Sequence, residues 1–425
     1  MNSKQNNPLW HQSILAFLLL GLVACSNSYL GKSLDQVTPA PTLRSTRGPT
    51  LAKSATPTQL PSATKASPAQ TNTPMPSLQG PFVAFAATEA TGKDYALILD
   101  LGTGLVRKLS WNSHTPMQSK WRSDGCELDV TVATASSIEL ISTDLSNQRS
   151  ETIFSGGRRS DGGFLTWPVV DPEGKWIAYT VLSGEQTYAG AEFQNIEVVA
   201  IGNPASPSVL TTHGGASKAA WSPNDERLSY SDYDAAGVNQ LYVARPDGKE
   251  KSQLTHFTVT GTIISTIQWS PIGNAIAFAT RDNNRLGSLW IVATDGSKLT
   301  KATTKDASES VEKIWWSEDG QIITAYMRSA SGEAHKDAVY WINPADGRIL
   351  RTLEASDTPD KYISQPLPVG GVQVVGFVGD KRIIFYDMKT GRFEEKQYAI
   401  DWADLTGPAQ ASPATFQGEA ACTTP

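Results

Sequence analysis

Cysteine and histidine are scarce in this chain: three cysteines and five histidines in 425 residues. No Cys-x-x-Cys or His-x-x-x-His pairing occurs, so nothing points to a zinc site. Asp295-Gly296 and Asp319-Gly320 lack the series of oxygen ligands that a calcium loop needs and read as turns. A Gly-x-Ser-x-Gly elbow is also missing, which excludes an α/β-hydrolase peptidase. The nearest string, Gly215-Ala216-Ser217-Lys218-Ala219, lacks the second glycine and reads as structural. The net charge of −6 is mild for this length and argues against a protein that coats nucleic acid. Between residues 81 and 405 no sustained helical period occurs, so an all-β domain is expected. From these absences no metal, no cofactor and no catalytic residue is expected, and the chain leans away from being an enzyme.

What is abundant is repetition. Trp221-Ser222-Pro223-Asn224-Asp225, Trp269-Ser270-Pro271-Ile272-Gly273 and Trp316-Ser317-Glu318-Asp319-Gly320 each read as a strand end, a tight turn and a new strand. Weaker copies start at Trp121, Val170 and Pro366, giving steps of 49, 51, 48, 47 and 50 residues. Four strands of about five residues plus their turns fill such a step, which is one blade of a β-propeller. A second station follows each first one, as in Leu241 to Arg245 and Leu289 to Thr294, and runs into Asp247-Gly248 or Asp295-Gly296. An Asp-Gly pair supplies the positive backbone angle of a hairpin turn. Phe82-Val83-Ala84-Phe85 already reads as a second strand, with no Trp station before it. The missing innermost strand is expected from Tyr398-Ala399-Ile400-Asp401-Trp402, closing the ring near Trp402. Seven blades are expected, with six or eight left open.

The flanks differ from the repeat. Lys4 precedes the apolar run Ile14 to Leu20, which is too short to span a bilayer permanently. The run ends in Leu22-Val23-Ala24-Cys25, which resembles the bacterial lipobox. That resemblance implies a signal peptide over 1–24, cleavage before Cys25 and diacylglycerol on its sulfur, a membrane anchor worth about 0.8 kcal/mol per buried methylene. Residues 25–80, rich in Pro, Thr and Ser, cannot bury a core and read as an extended stalk. The repeat domain is bounded at 81–405, and 406–425 is expected to be a disordered tail. Cys126 and Cys422 either form a disulfide between tail and first complete blade or remain free thiols.

The pattern Trp-Ser-Pro-x-Asp/Gly, followed by Ile-Ala-Phe at Ile276 to Phe278 or Leu-Ser-Tyr at Leu228 to Tyr230, then Leu-Tyr-Val and Asp-Gly, resembles the TolB-like, WD40-like propeller repeats of bacterial envelope proteins. The resemblance covers about residues 81 to 405. It implies a propeller fold and an extracytoplasmic setting. Its relatives include binding modules, gates ahead of peptidase domains and some carbohydrate-active enzymes. The chain departs from TolB itself in carrying a lipobox and a stalk, so TolB's partner is not carried over.

In such a fold the inter-blade connections and the loops between second and third strands emerge on one face. The candidate binding residues there are Arg158, Arg159, Glu185, Tyr188, Glu192, Asp232, Tyr233, Asp234, Arg281, Asp282, Arg285, Arg328 and His335. Mixed Arg, Tyr and Asp hold planar or charged groups. His114, His213 and His256 fall at equivalent connections and share that rim as solvated loop residues. The expected function is a lipid-anchored, non-catalytic binding or scaffold module, monomeric, presenting its loop face to an envelope protein or glycan. The alternative is a propeller-type polysaccharide lyase or glycosidase, recognised by facing carboxylates or a His, Tyr and Arg cluster.

Overall fold

The computed structural model describes residues 82–88, 94–100, 103–104, 106–110, 115–121, 127–133, 137–144, 149–157, 163–186, 192–212, 214–216, 219–282, 284, 286–302, 309–329, 336–359, 363, 367–369, 374–379, 382–396 and 410–413. The chain divides into two units, Met1–Pro76 and Ser77–Pro425. The first lies wholly outside the described residues, and with it the expected signal peptide, Cys25 and most of the stalk.

The second unit holds seven four-stranded antiparallel sheets among the described residues, here numbered I to VII. Sheet I is Gln410–Pro413, Phe82–Thr88, Asp94–Asp100 and Val106–Ser110. Sheet II is Thr115–Trp121, Glu127–Ala133, Ser137–Asp144 and Arg149–Gly157, and sheet III is Phe164–Val170, Trp176–Gln186, Glu192–Ala200 and Asn203–Val209. Sheet IV is Ala220–Trp221, Leu228–Tyr233, Asn239–Ala244 and Ser252–Gln253. Sheet V is Ile263–Trp269, Ala275–Arg281, Gly287–Ala293 and Leu299–Lys301. Sheet VI is Glu309–Trp316, Ile323–Ser329, Ala338–Ile342 and Ile349–Glu354, and sheet VII is Leu367–Val369, Val374–Gly379, Arg382–Asp387 and Arg392–Lys396. In II to VII the strands follow chain order, so each 48-residue step of the sequence is one meander.

Among the described residues, sheets III to VI bury both faces against their neighbours, and II and VII bury one. Leu140 and Phe154 of sheet II meet Ile177 and Tyr179 of III. Ile196 and Val198 of III meet Trp221, Leu228 and Tyr230 of IV. Leu241 and Val243 of IV meet Ile267, Ile276 and Phe278 of V, and Leu289 and Ile291 of V meet Ile314, Trp316 and Met327 of VI. Val339 and Trp341 of VI meet Tyr386 of VII. Burial on both faces explains why the central strands are near-continuous apolar runs, such as Leu241 to Ala244, rather than half-polar alternations.

The Trp stations are the pegs of this stack. Trp221 Nε1 donates to Val169 O at 2.9 Å, Trp269 Nε1 to Ala220 O at 3.0 Å, and Trp316 Nε1 to Gln268 O at 3.2 Å. In each case the acceptor sits one residue before the equivalent station of the preceding sheet. The indole therefore fills the gap between two sheets and satisfies a carbonyl of the neighbouring innermost strand.

The turns after the stations close with the fourth residue's N–H donating to the first residue's carbonyl: Gly174 to Asp171, Asp225 to Ser222, Gly273 to Ser270 and Gly320 to Ser317. The fourth residue has positive φ in all four, 73°, 59°, 73° and 68°, and only Asp225 is not glycine. Asp225 also suffers electrostatically. Burial, then the charges of Asp171 and Glu173 on the preceding sheet's turn, push its carboxyl up to about 6.

One expectation is corrected. The strand beside Phe82–Thr88 is Gln410–Pro413, pairing Ala86 with Gln410 and Val83 with Pro413, rather than Tyr398 to Trp402. Tyr398 to Trp402 lie outside the described residues. Pairing to the edge of sheet I draws on backbone N–H and C=O groups, which any extended segment within reach supplies, so the apolar pattern at 398–402 was no guide. Part of the tail expected to be disordered is thus a strand.

Two predictions follow from the pegs and the turns. Trp269→Phe keeps the ring in the gap but removes the donor to Ala220 O and Ser229 Oγ, the latter at 2.9 Å; calorimetry should show a loss of about 1–2 kcal/mol. Asp225→Gly relieves a left-handed residue but loosens the unfolded chain, which roughly cancel when the carboxyl is protonated. A carboxyl raised in the folded state contributes stability below its unfolded value that is lost as pH rises through about 6. Asp225→Gly should therefore be near neutral at pH 4 and raise Tm by about 2 °C at pH 8; an equal Tm change at both values would refute the charge account.

Candidate functional site

Strand register places three of the candidate residues at one repeat position. Trp221 lies opposite Leu228, Trp269 opposite Ile276 and Trp316 opposite Ile323. Five residues further along each second strand stand Tyr233, Arg281 and Arg328, at the same end of sheets IV, V and VI. At that end the innermost strands begin, with Ile263 opposite Arg281 and Ser310 opposite Arg328.

The innermost strands share a second device there. Their register shifts between Pro116 and Gln118, Thr166 and Val169, Ile264 and Thr266, and Val311 and Lys313. Such bulges take a residue out of the ladder and re-aim its side chain. In sheet VI that residue is Glu312. Its Oε1 accepts from Arg281 Nη2 at 3.1 Å and from Ser310 Oγ at 3.0 Å, so the bulge ties the innermost strand of VI to the second strand of V.

Around this pair the charges are close enough to perturb one another. Burial, and then the Arg328 guanidinium, hold the Lys313 amine below the usual lysine range, with Glu312 acting in the opposite direction. Arg328 is exposed, and its guanidinium carbon stands 6.0 Å from the Tyr326 ring centre. Tyr326 donates its hydroxyl to Asp337 Oδ2 at 2.7 Å, and Ser329 N–H donates to Asp337 Oδ1 at 3.1 Å. Burial raises both Tyr326 and Asp337 above their ordinary values. A further buried pair lies behind: Tyr340 donates to Glu309 Oε1 at 2.6 Å. Among the described groups of this rim that reach solvent, Arg281, Lys313 and Arg328 carry three positive charges against two negative, Glu312 and the turn-forming Asp282. Such a set can hold an anion, and a lysine with a lowered pKa can act as a base or nucleophile.

The remaining candidates serve their own hairpins or lie elsewhere. Asp232 is buried, with Oδ2 3.3 Å from Lys251 Nζ, and that amine stands 4.5 Å from the Tyr242 ring centre. Asp234 accepts from Ala236 N, Val238 N and Gln240 Nε2, and Asp282 from Asn284 N and Leu286 N, which makes both of them turn-formers. The Tyr233 ring lies on Gly215, where an added Cβ would come within 2.1 Å of it. Gly215 O in turn accepts from Ser231 Oγ and Asn239 Nδ2, which gives the near-elbow string its structural role. Glu185 and Glu192 close the strands that flank the long loop of sheet III. His256 Nδ1 meets Gln253 Nε2 at 3.2 Å. Arg158, Arg159, Tyr188, Arg285, His335, His114, His213, Cys25, Cys126 and Cys422 lie outside the described residues.

Sequence reasoning missed Ser310, Glu312, Lys313 and Tyr326. One signal was present: Glu309-Ser310-Val311-Glu312-Lys313 puts three charges where the equivalent stretch of sheet V reads Thr-Ile-Ile-Ser-Thr at 262–266. Among the described residues no group of three or more His, Cys, Asp or Glu is placed to hold a metal, and no helix is long and apolar enough to cross a membrane.

No family model matches the sequence, and no curated protein matches it. Solved structures do. Puromycin hydrolase superposes with a TM-score of 0.52 at 14% identity, over 79% of this chain and 55% of that one. Oligogalacturonate lyase from Vibrio parahaemolyticus gives 0.50 at 11%, over 74% and 90%. TolB from Acinetobacter baumannii gives 0.44 at 17%, over 64% and 62%. This chain thus spans less than two thirds of the TolB and puromycin hydrolase chains. The likeness is one of fold, and with the stacked four-stranded sheets it makes this chain a β-propeller.

The Lys313 environment is open to a chemical check. Glu312→Gln removes the charge that raises the amine's pKa and should move Lys313 acylation to lower pH, whereas Arg328→Ala should move it to higher pH. Mass-spectrometric labelling across a pH series reads both shifts; no movement in either variant would remove the coupling.

Proposed function

We propose that the protein is a non-catalytic binding or scaffold module, held outside the cytoplasm by a lipid on Cys25, with the stalk 25–80 carrying a seven-bladed propeller. Ring closure is supported by Gln410–Pro413 completing sheet I while lying beside Leu367–Val369 of sheet VII. The observation that carries the binding role is the rim where Tyr233, Arg281 and Arg328 recur at one repeat position and Arg281 meets the bulged Glu312 of the next sheet. A rim assembled from equivalent positions of successive blades is a continuous surface on a rigid scaffold, which suits recognition. The occupant is an envelope protein or glycan.

A second reading, a polysaccharide lyase or glycosidase, is favoured by Lys313. Its lowered pKa suits proton abstraction beside a cation that would hold an acidic sugar.

The test uses the full chain in its own membrane. Cys25→Ala should move the protein from the membrane to the soluble fraction and abolish incorporation of labelled fatty acid. Detergent-solubilised protein exposed to envelope glycans and proteins should retain a ligand without releasing reducing sugar. Sugar release that disappears in Lys313→Met would replace the binding reading with the enzymatic one.

A further inference from the structure

The rim around Arg281 and Arg328 combines cations with exposed aliphatic side chains. Val259 is 66% exposed and Ile263 42% exposed. Ile263 lies directly opposite Arg281, and opposed residues of an antiparallel pair project on the same side of the sheet. Val259 stands four residues earlier, in the connection that enters this strand. Among the described residues, the other exposed large apolar side chains are elsewhere: Val209, Leu299 and Leu350 on outer strands, and Ile272 in a turn at the opposite end. Among the described exposed apolar residues, Ile263 pairs with Arg281 and Val259 lies in the connection just before it.

Among the described residues, the cluster's carboxylates are already committed. Glu312 is shared by Arg281 and Ser310, Asp337 is taken by Tyr326 and Ser329, and Glu309 by Tyr340. Among the described residues Arg328 makes no close ion pair; it stands by the Tyr326 ring and hydroxyl, and the charges of Glu312 and Asp337 act on it from beyond ion-pair distance. An exposed guanidinium with free donors takes a planar carboxylate in two parallel hydrogen bonds. Beside it, uncovered aliphatic carbon gains by being taken out of water.

We propose that this rim docks an acidic, apolar polypeptide segment of a partner protein, with a carboxylate on Arg328 and a neighbouring apolar side chain over Val259 and Ile263. The proposal rests on the binding-module reading and names its ligand chemistry. A polypeptide fits better than an acidic glycan because the exposed carbon here is aliphatic, whereas sugar rings pack on flat aromatic faces. Arginine is enriched at protein interfaces and among the residues that carry their binding energy, and arginine clusters read acidic peptide motifs.

The probe is a fluorescent random copolymer of glutamate and leucine, titrated into the detergent-solubilised full chain, with polygalacturonate and uncharged dextran as competitors. Saturable binding is expected that weakens with salt, as exposed charge pairs do. Arg328→Ala should weaken it about tenfold or more, and Val259→Ser severalfold. Lys249→Ala, at an exposed turn of the opposite end, should leave it unchanged. Equal Tm values across the variants exclude misfolding as the cause. Copolymer binding that ignores Arg328→Ala, no copolymer binding at all, or polygalacturonate competing at equal carboxylate concentration would each overturn the proposal. An envelope ligand retained equally by wild type and Arg328→Ala would leave the binding-module reading standing while this docking rim falls; a wild type that retains nothing removes both.

Discussion

An indole N–H reaching one blade backwards is the constraint on which the architecture depends. Trp221, Trp269 and Trp316 each donate to a carbonyl of the preceding innermost strand, and each ring is packed between the two sheets it joins. A four-stranded meander with two apolar faces has no stable existence alone, because nothing covers either face. Stacking covers both faces, and the directional bond sets the offset between neighbours, since a slip of one residue would leave both the indole and a buried carbonyl without a partner. The same bond explains the repeat length: the peg must recur once per sheet, so the sequence period is the length of one meander.

That regularity also brings varied side chains together at one end. Once each sheet is locked to the last, equivalent positions of successive blades come to the same end, and the differences among them form the rim proposed for binding. Tyr233 rests on Gly215, Arg281 crosses to Glu312, and Arg328 is left exposed over Tyr326. The bulge at Glu312 matters because it lifts one carboxylate out of a ladder whose other members are engaged in pairing. Behind the rim, the buried hydroxyls of Tyr326 and Tyr340 satisfy the carboxylates of Asp337 and Glu309, and the Asp337 charge still reaches Arg328.

Much of the fold was legible because its signals are local. Trp-Ser-Pro stations, glycine at the turn's fourth residue and Asp-Gly hairpins act through backbone angles and short apolar runs, so Trp221, Trp269 and Trp316 fell where expected, each at the end of an innermost strand. The closing strand was not legible. Gln410–Pro413 has no apolar alternation and is chosen by reach to the free edge of sheet I, a property of the assembled chain rather than of its residues. The candidate site was half legible. Arg281 and Arg328 stood out as loop arginines, while Asp232, Asp234 and Asp282, of similar chemistry in similar loops, are consumed by their own turns and by Lys251.

The amino-acid sequence by itself determined the all-β class, the blade period, the turn positions and the peg residues, since each depends on interactions within about ten residues or on a pattern repeated in every copy. Only the tertiary structure decided which charged residues meet. Arg281 and Glu312 are 31 positions apart in different sheets, and their contact at 3.1 Å exists because the Trp pegs set the offset between those sheets and a bulge turns Glu312 towards its partner. Electrostatic partnership falls off with distance in space and is blind to distance in sequence, so it becomes readable only when the stack is complete.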